Sequence, residues 1–185
     1  CFVMFKIISY EVHLMQVPFS IGVTGTPGVG KTTLVKDLTN VISLVQLAKN
    51  HECIEYDSRE AIDVIYCDKL SKIDLSKDRN FIEGHLSHWS QVGGLIILRC
   101  RPDVLESRLT KRGYSQDKIR ENVDYEILGG VWQDLHDDKR PKIEFDTTEH
   151  NGFLLEISSW LQQGCPHMVE ITGAKDWMSC VDLWN

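Results

Sequence analysis

Apolar residues in this chain gather in short unbroken runs, separated by longer stretches in which they recur every three or four positions. Runs of the first kind suit strands buried on both faces, and stretches of the second kind suit amphipathic helices. Residues 19–23 form the first run, after which Leu34, Val35, Leu38, Val41 and Ile42 recur at helical spacing and predict one helix. A second short apolar segment covers residues 42–47. The polar stretch 48–77, with neither Gly nor Pro, reads as short helices packed beside the sheet. Residues 80–85 predict a strand ending in polar groups, and residues 95–98, after the Gly93-Gly94 turn, predict the clearest strand of all. Pro102 suits the first turn of a helix, Asp103 complements its dipole, and the helix closes near Gly113. Ser115 caps the next, whose Ile119, Val123 and Ile127 repeat every four residues until Gly129-Gly130. Residues 142–145 predict a last strand, and Phe153, Leu154, Ile157, Trp160 and Leu161 a closing amphipathic helix. Strands alternating with helices predict an α/β fold with a parallel sheet flanked by helices.

The chemistry enters directly after the first run. The stretch IGVTGTPGVGKTT over residues 21–33 places Gly25, Gly30, Lys31 and Thr32 in the pattern G-x-x-x-x-G-K-[ST]. Glycines let such a loop curl until successive backbone N–H groups point inward at a phosphate, and the following helix aims its positive end at the same place. Lys31 adds a mobile charge and Thr32 a hydroxyl for magnesium. A glycine-rich turn that merely starts a helix is the plainer alternative, but the strand before and the helical spacing after are the context that the motif requires. A bound nucleoside triphosphate is the expectation.

Composition narrows the field further. The 185 residues suit one domain, and 42% hydrophobic with 25% charged is ordinary for a globular protein. Twenty basic against 27 acidic residues give a net charge of −7, which disfavours a broad electrostatic grip on nucleic acid and leaves room for a protein partner or a small anion. The six cysteines (Cys1, Cys53, Cys67, Cys100, Cys165, Cys180) form no C-x-x-C pair and no zinc spacing, so reduced thiols in a cytoplasmic protein are expected. No run approaches the ~18 to 20 apolar residues of a membrane span. The apolar stretch 1–17 is interrupted by Glu11 and His13 and lacks a cleavage site, so it does not read as a signal peptide; Met15 offers a natural start. Both ends, the second carrying Trp177 and Trp184, read as appendages.

Two further constellations bear on the reaction. Arg108 and Arg112 stand four apart on the helix that begins at Pro102, with Arg101 roughly in line. They make either a solvated basic face or, since they end at a Gly113-Tyr114 turn, a hinged flap that brings positive charge over a moving phosphate. Glu83, His85 and His88 follow a short strand. An acid there suits magnesium or its water shell; a zinc pair of His85 and His88 and an unremarkable strand end are the competing readings.

GTPGVGKTT, EGHLSH and LRCRPDVLESRLTKRGYSQDKIRENVDYEIL together resemble the small atypical adenylate kinases of the CINAP type, above all their archaeal branch, over residues 19–162. The resemblance implies a P-loop nucleoside monophosphate kinase domain over residues 19–163, with a monophosphate-binding insert near 46–68, a short lid near 111–121, and extensions 1–18 and 164–185. It implies that Gly28, Gly30, Lys31, Thr32 and Thr33 hold ATP phosphates, that Arg112 reaches the nucleotide from the lid, and that Glu83 with His85 replaces the usual acid beside the metal. Lys49 then faces the monophosphate, where relatives show arginine; a single ammonium cannot reproduce the planar two-pronged grip. Relatives of this type also hydrolyse ATP and assist maturation of the small ribosomal subunit by binding its platform protein. An ATP:AMP phosphotransferase with ATPase activity, using Mg2+, is therefore expected. An ATPase that times its own release from a ribosomal protein is the alternative, and a kinase of another small metabolite a third reading.

Overall fold

The structure, a computed structural model, describes residues 17–58, 62–75, 78–149, 152–167 and 174–179. Expectations attached to Cys1, Met15, Cys180 and Trp184 lie outside those residues. Four of the short runs become strands of one parallel sheet, and the start of the segment 42–47 supplies a fifth while its residues 44–47 are helical: the strands are β1 (Ile21–Thr24), β2 (Val41–Ser43), β5 (Phe81–Glu83), β6 (Gly94–Arg99) and β7 (Lys142–Asp146). Their spatial order is β2-β5-β1-β6-β7, so the strand that leads into the phosphate loop is the central one. A separate antiparallel hairpin joins β3 (Ile54–Asp57) to β4 (Ile62–Ile65).

Successive strand residues point to opposite faces, and here both faces are apolar. On β6, Ile96 and Leu98 join a core with Ile21, Val23, Phe81 and Trp160, while Leu95 and Ile97 join a second core with Leu44, Leu70, Ile82 and Trp132. Helices cover these cores: α1 (Lys31–Leu34), α2 (Leu44–Asn50), α3 (Cys67–Leu70), α4 (Pro102–Lys111), α5 (Gln116–Ile127), α6 (Gly130–Asp134) and α7 (Leu154–Gln162). Pro102 occupies the first turn of α4, and the Ser115 hydroxyl caps α5 by accepting from the Lys118 amide at 3.3 Å.

Two expected elements take other forms. The single helix over residues 34–42 is instead α1 and a 3-10 turn at Val35–Asp37, after which Leu38 is extended and Asn40 turns at φ 57°. Asn tolerates that left-handed conformation, which frees Val41 and Ile42 to pair with Phe81 and Ile82 in β2. Apolar spacing alone did not separate a helical turn from this break. Within the stretch 48–77, α3 is helical, but Ile54, Tyr56, Val64 and Ile65 are strand-favouring residues and form the β3–β4 hairpin. The segment 174–179 is no loose appendage: Trp177 is 4% exposed, and the Lys175 amide donates to Glu144 Oε1 of β7 at 2.8 Å.

Candidate functional site

The phosphate loop leaves the C-terminal end of β1 pressed against β6 and α4. Gly25 has φ 136°, and a Cβ there would lie 2.3 Å from the Leu98 carbonyl oxygen; at Gly28, φ 95°, it would lie 2.8 Å from Leu105 and 2.9 Å from Leu109. Only glycine fits a chain that turns this way at this distance. Arg108 braces the loop from α4, donating to the Val29 carbonyl at 3.5 Å and to the Thr147 and Thr148 carbonyls at 2.7 and 3.3 Å; the Thr147 hydroxyl also donates to the Val29 carbonyl. Arg101 is taken up by Asp103, Nε to Oδ1 at 2.6 Å, so it does not extend the row.

Lys31, 7% exposed, folds back into the loop, its ammonium donating to the Gly25 and Thr26 carbonyls at 2.7 and 3.0 Å. Burial pushes its pKa down to about 8, opposed by Glu83 and Glu126 and reinforced by Arg112. One residue on, the Thr32 hydroxyl donates to Glu83 Oε1 at 3.4 Å, joining the end of the loop to the end of β5. Two oxygen donors so placed suit a hard cation that keeps several waters. Among the described residues no group of three or more His, Cys, Asp or Glu could hold a metal ion by itself, so the remaining ligands would be water and phosphate oxygens.

The two histidines part company. His85 is exposed and lines the cleft beside Glu83. Enclosure by the cleft walls, then the charge of Lys31, holds its imidazole below the ordinary value and neutral at pH 7, while solvent at its open edge moderates the effect. His88 is 3% exposed, with Nδ1 2.8 Å from the Thr24 hydroxyl and Nε2 3.3 Å from Asp134 Oδ2, off the line of a good hydrogen bond. Burial, partly offset by Asp134, lowers its pKa to about 4. Thr24 also donates to the His85 carbonyl at 3.1 Å, so His88 holds the turn after β5 against β1.

Gly28, Gly30, Lys31, Thr32, Glu83, His85 and Arg112 line one cleft of about 900 Å3. Arg112 and Tyr114 overhang it from the α4–α5 turn, Lys118 from α5, and Asp63 and Ile65 from the hairpin. Thr33 and Lys49 are exposed and stand outside the lining. Lys118, Glu121, Asn122 and Tyr125, the first two within the expected lid but none given a role of its own in the sequence, bring one face of α5 to the cleft; their three- and four-residue spacing was the available signal. Tyr125 OH donates to Asp134 at 2.7 Å. Buried Glu126 and Arg99, paired at 2.7 Å, gave no comparable signal, since each is explained only by the other.

A sequence profile described as an AAA domain matches residues 21–129. A Pyrococcus abyssi protein described as "Putative adenylate kinase" is 34% identical over 171 residues, 88% of this chain and 93% of the relative. A Methanocaldococcus jannaschii protein of the same description is 35% identical over 167 residues, 85% and 92% of the two chains. A solved shikimate kinase from Bacteroides thetaiotaomicron aligns at TM-score 0.37 and 19% identity over 78% of this chain and 96% of that one, too distant a likeness for any inference. On its identity to the two archaeal proteins, along nearly their whole length, the chain belongs to the family described as putative adenylate kinases.

Proposed function

We propose that the protein is an adenylate kinase of the CINAP type that moves the γ-phosphoryl group of ATP to AMP. The observation that carries this reading is the single cleft in which the phosphate loop, with Lys31 and Thr32, faces Arg112 of the α4–α5 turn across a volume of about 900 Å3. That is at the upper end of roughly 300–1,000 Å3 for small-molecule sites, and it suits a donor and an acceptor together. The names of the archaeal relatives support the same substrates.

An AMP phosphate oxygen attacks the γ-phosphorus in line, the bond to the β–γ bridging oxygen breaks, and two ADP result. Lys31 leaves the loop carbonyls for the ATP phosphates. Arg112 closes from the turn onto the transferring group, and the loop amides hold the β-phosphate, so positioning and charge supply the rate. Thr32 and Glu83 would hold Mg2+, which neutralises phosphate charge when bound. Lys49 would have to reach the acceptor from the exposed face of α2.

A second reading is favoured by one feature, the neutral His85 beside Glu83 at the cleft wall. It suits a positioned water, and hence an ATPase whose turnover times release from a basic ribosomal protein of the small-subunit platform, in the cytoplasm. The net charge of −7 supports a basic protein over RNA as partner. Purified protein with ATP and Mg2+, with and without AMP, separates the two. AMP-dependent formation of two ADP per ATP supports the kinase, with or without a background of free phosphate, and free phosphate with no AMP-dependent ADP formation refutes it in favour of the ATPase. Binding to the purified platform protein that weakens with salt supports the partner, and tight binding to bare ribosomal RNA overturns it.

A further inference from the structure

Glu126, in the last turn of α5, is 1% exposed, yet its carboxylate gathers four donors from three parts of the chain. The Thr26 hydroxyl of the phosphate loop reaches Oε2. Arg99 Nε at 2.7 Å, the Cys100 amide at 3.0 Å and the Trp177 indole N–H at 3.2 Å reach Oε1. Arg99 is equally buried and donates to the Glu126 carbonyl at 2.8 Å. A charge pair taken so far out of water persists only when its remaining hydrogen-bonding capacity is filled. Thr26 is also where Lys31 rests, through the carbonyl that accepts its ammonium at 3.0 Å. Lys31 and the Glu126 carboxylate are therefore joined through one residue of the loop.

None of Thr26, Glu126 and Trp177 lines the cleft, whereas Asn122 and Tyr125 of α5 do. Thr26 thus joins the loop to the helix whose Asn122 and Tyr125 face the cleft. The segment 174–179 is held in place to complete this network. Lys175 pairs with Asp146 at 3.1 Å, lies 5.0 Å over the Trp177 ring, and offers its carbonyl to Arg99 at 3.1 Å.

We infer that Glu126 is a positioning residue for the phosphate loop, and that Trp177 completes its set of donors, so that the segment 174–179 tunes nucleotide affinity from outside the cleft. This rests on the reading that the loop binds nucleotide. The test is calorimetric titration of MgADP into the full chain as parent, Trp177→Phe, Thr26→Val and the double variant, with indole fluorescence followed alongside. Each single change is expected to weaken ADP roughly three- to tenfold, the equilibrium worth of one hydrogen bond. The double variant should be no more than about twofold weaker than the weaker-binding single, because both changes act through one carboxylate. An ADP-induced fluorescence change in the parent should vanish in Trp177→Phe. Folded Trp177→Phe that binds within twofold of the parent, or losses that simply add, overturns the inference, since a merely structural Trp177 would lower melting temperature alone. If Trp177→Phe does not fold, Thr26→Val decides, and unchanged affinity there overturns it. A parent that binds no ADP refutes the nucleotide reading itself.

Discussion

Lys31 illustrates how a residue can be legible in its identity and not in its state. The motif marks it, but only the structure reveals an ammonium buried among loop carbonyls with its pKa lowered to about 8. Phosphate binding needs the charged form, so ATP affinity should be flat below pH 8 and fall by up to tenfold per unit above it, where an ordinary lysine would hold to about 10.4. Titrations between pH 6.5 and 9.5 check this, and constant affinity to pH 9.5 refutes it. Lys31→Ala should lower both transfer and hydrolysis by ~10² or more with the fold intact, the usual cost of one preorganised charge contact; near-normal turnover in a folded variant would remove the loop from the chemistry. His85→Ala should depress hydrolysis more than AMP-dependent transfer, because only hydrolysis needs a placed water. Equal loss of both would assign His85 to the metal, and no loss to structure. Glu83 and His85 could be singled out because they follow a strand. Glu126 could not, because a buried acid and its partners Thr26, Arg99 and Trp177 are brought together only by folding.

At the scale of elements, the parallel strands other than β2, and the α4–α5 pair, were readable because each carries a local signal. The apolar run of β6, Pro102 and Ser115 need no distant contact to be recognised. The break after α1 and the β3–β4 hairpin were not, since Val41 and Ile42 fit helical and strand periods alike until β5 supplies their partner. Arg108 is the clearest case of an element-level role. It read as a possible phosphate contact, and it ties α4 to the loop at Val29 and to the end of β7 at Thr147 and Thr148. Arg108→Ala should therefore cost about 2–3 kcal/mol of stability through unpaired carbonyls, and Arg108→Lys should recover only part, having no planar fork. Thermal melts of the two variants check the ranking; a lysine variant as stable as the parent would refute it.

For the whole molecule, the approach to β7 sets an acid limit. Burial opposes ionisation of Asp138, but hydrogen bonds from Arg140 and Lys142 overcome it and hold the carboxyl at about 2. A folded pKa below the unfolded 3.8 stabilises the fold above pH 4 and loses that contribution as pH falls to about 2. Screening by solvent at the partly exposed carboxylate reduces the worth of that shift to about 1–2 kcal/mol, and Asp138→Asn should abolish that part of the acid sensitivity in urea melts at pH 2.5, 4 and 6. The central place of β1 reaches beyond stability to the time at which the site comes into being. Ile21 pairs with Phe81 on one side and Gly94 on the other, so the phosphate loop is anchored by strands made long after it. Such non-local pairing belongs to slower folding, on the order of milliseconds or longer. During synthesis the complete motif is outside the ribosome well before β5 and β6 can flank it. A nascent chain ending before residue 81 should carry every motif residue and retain no nucleotide.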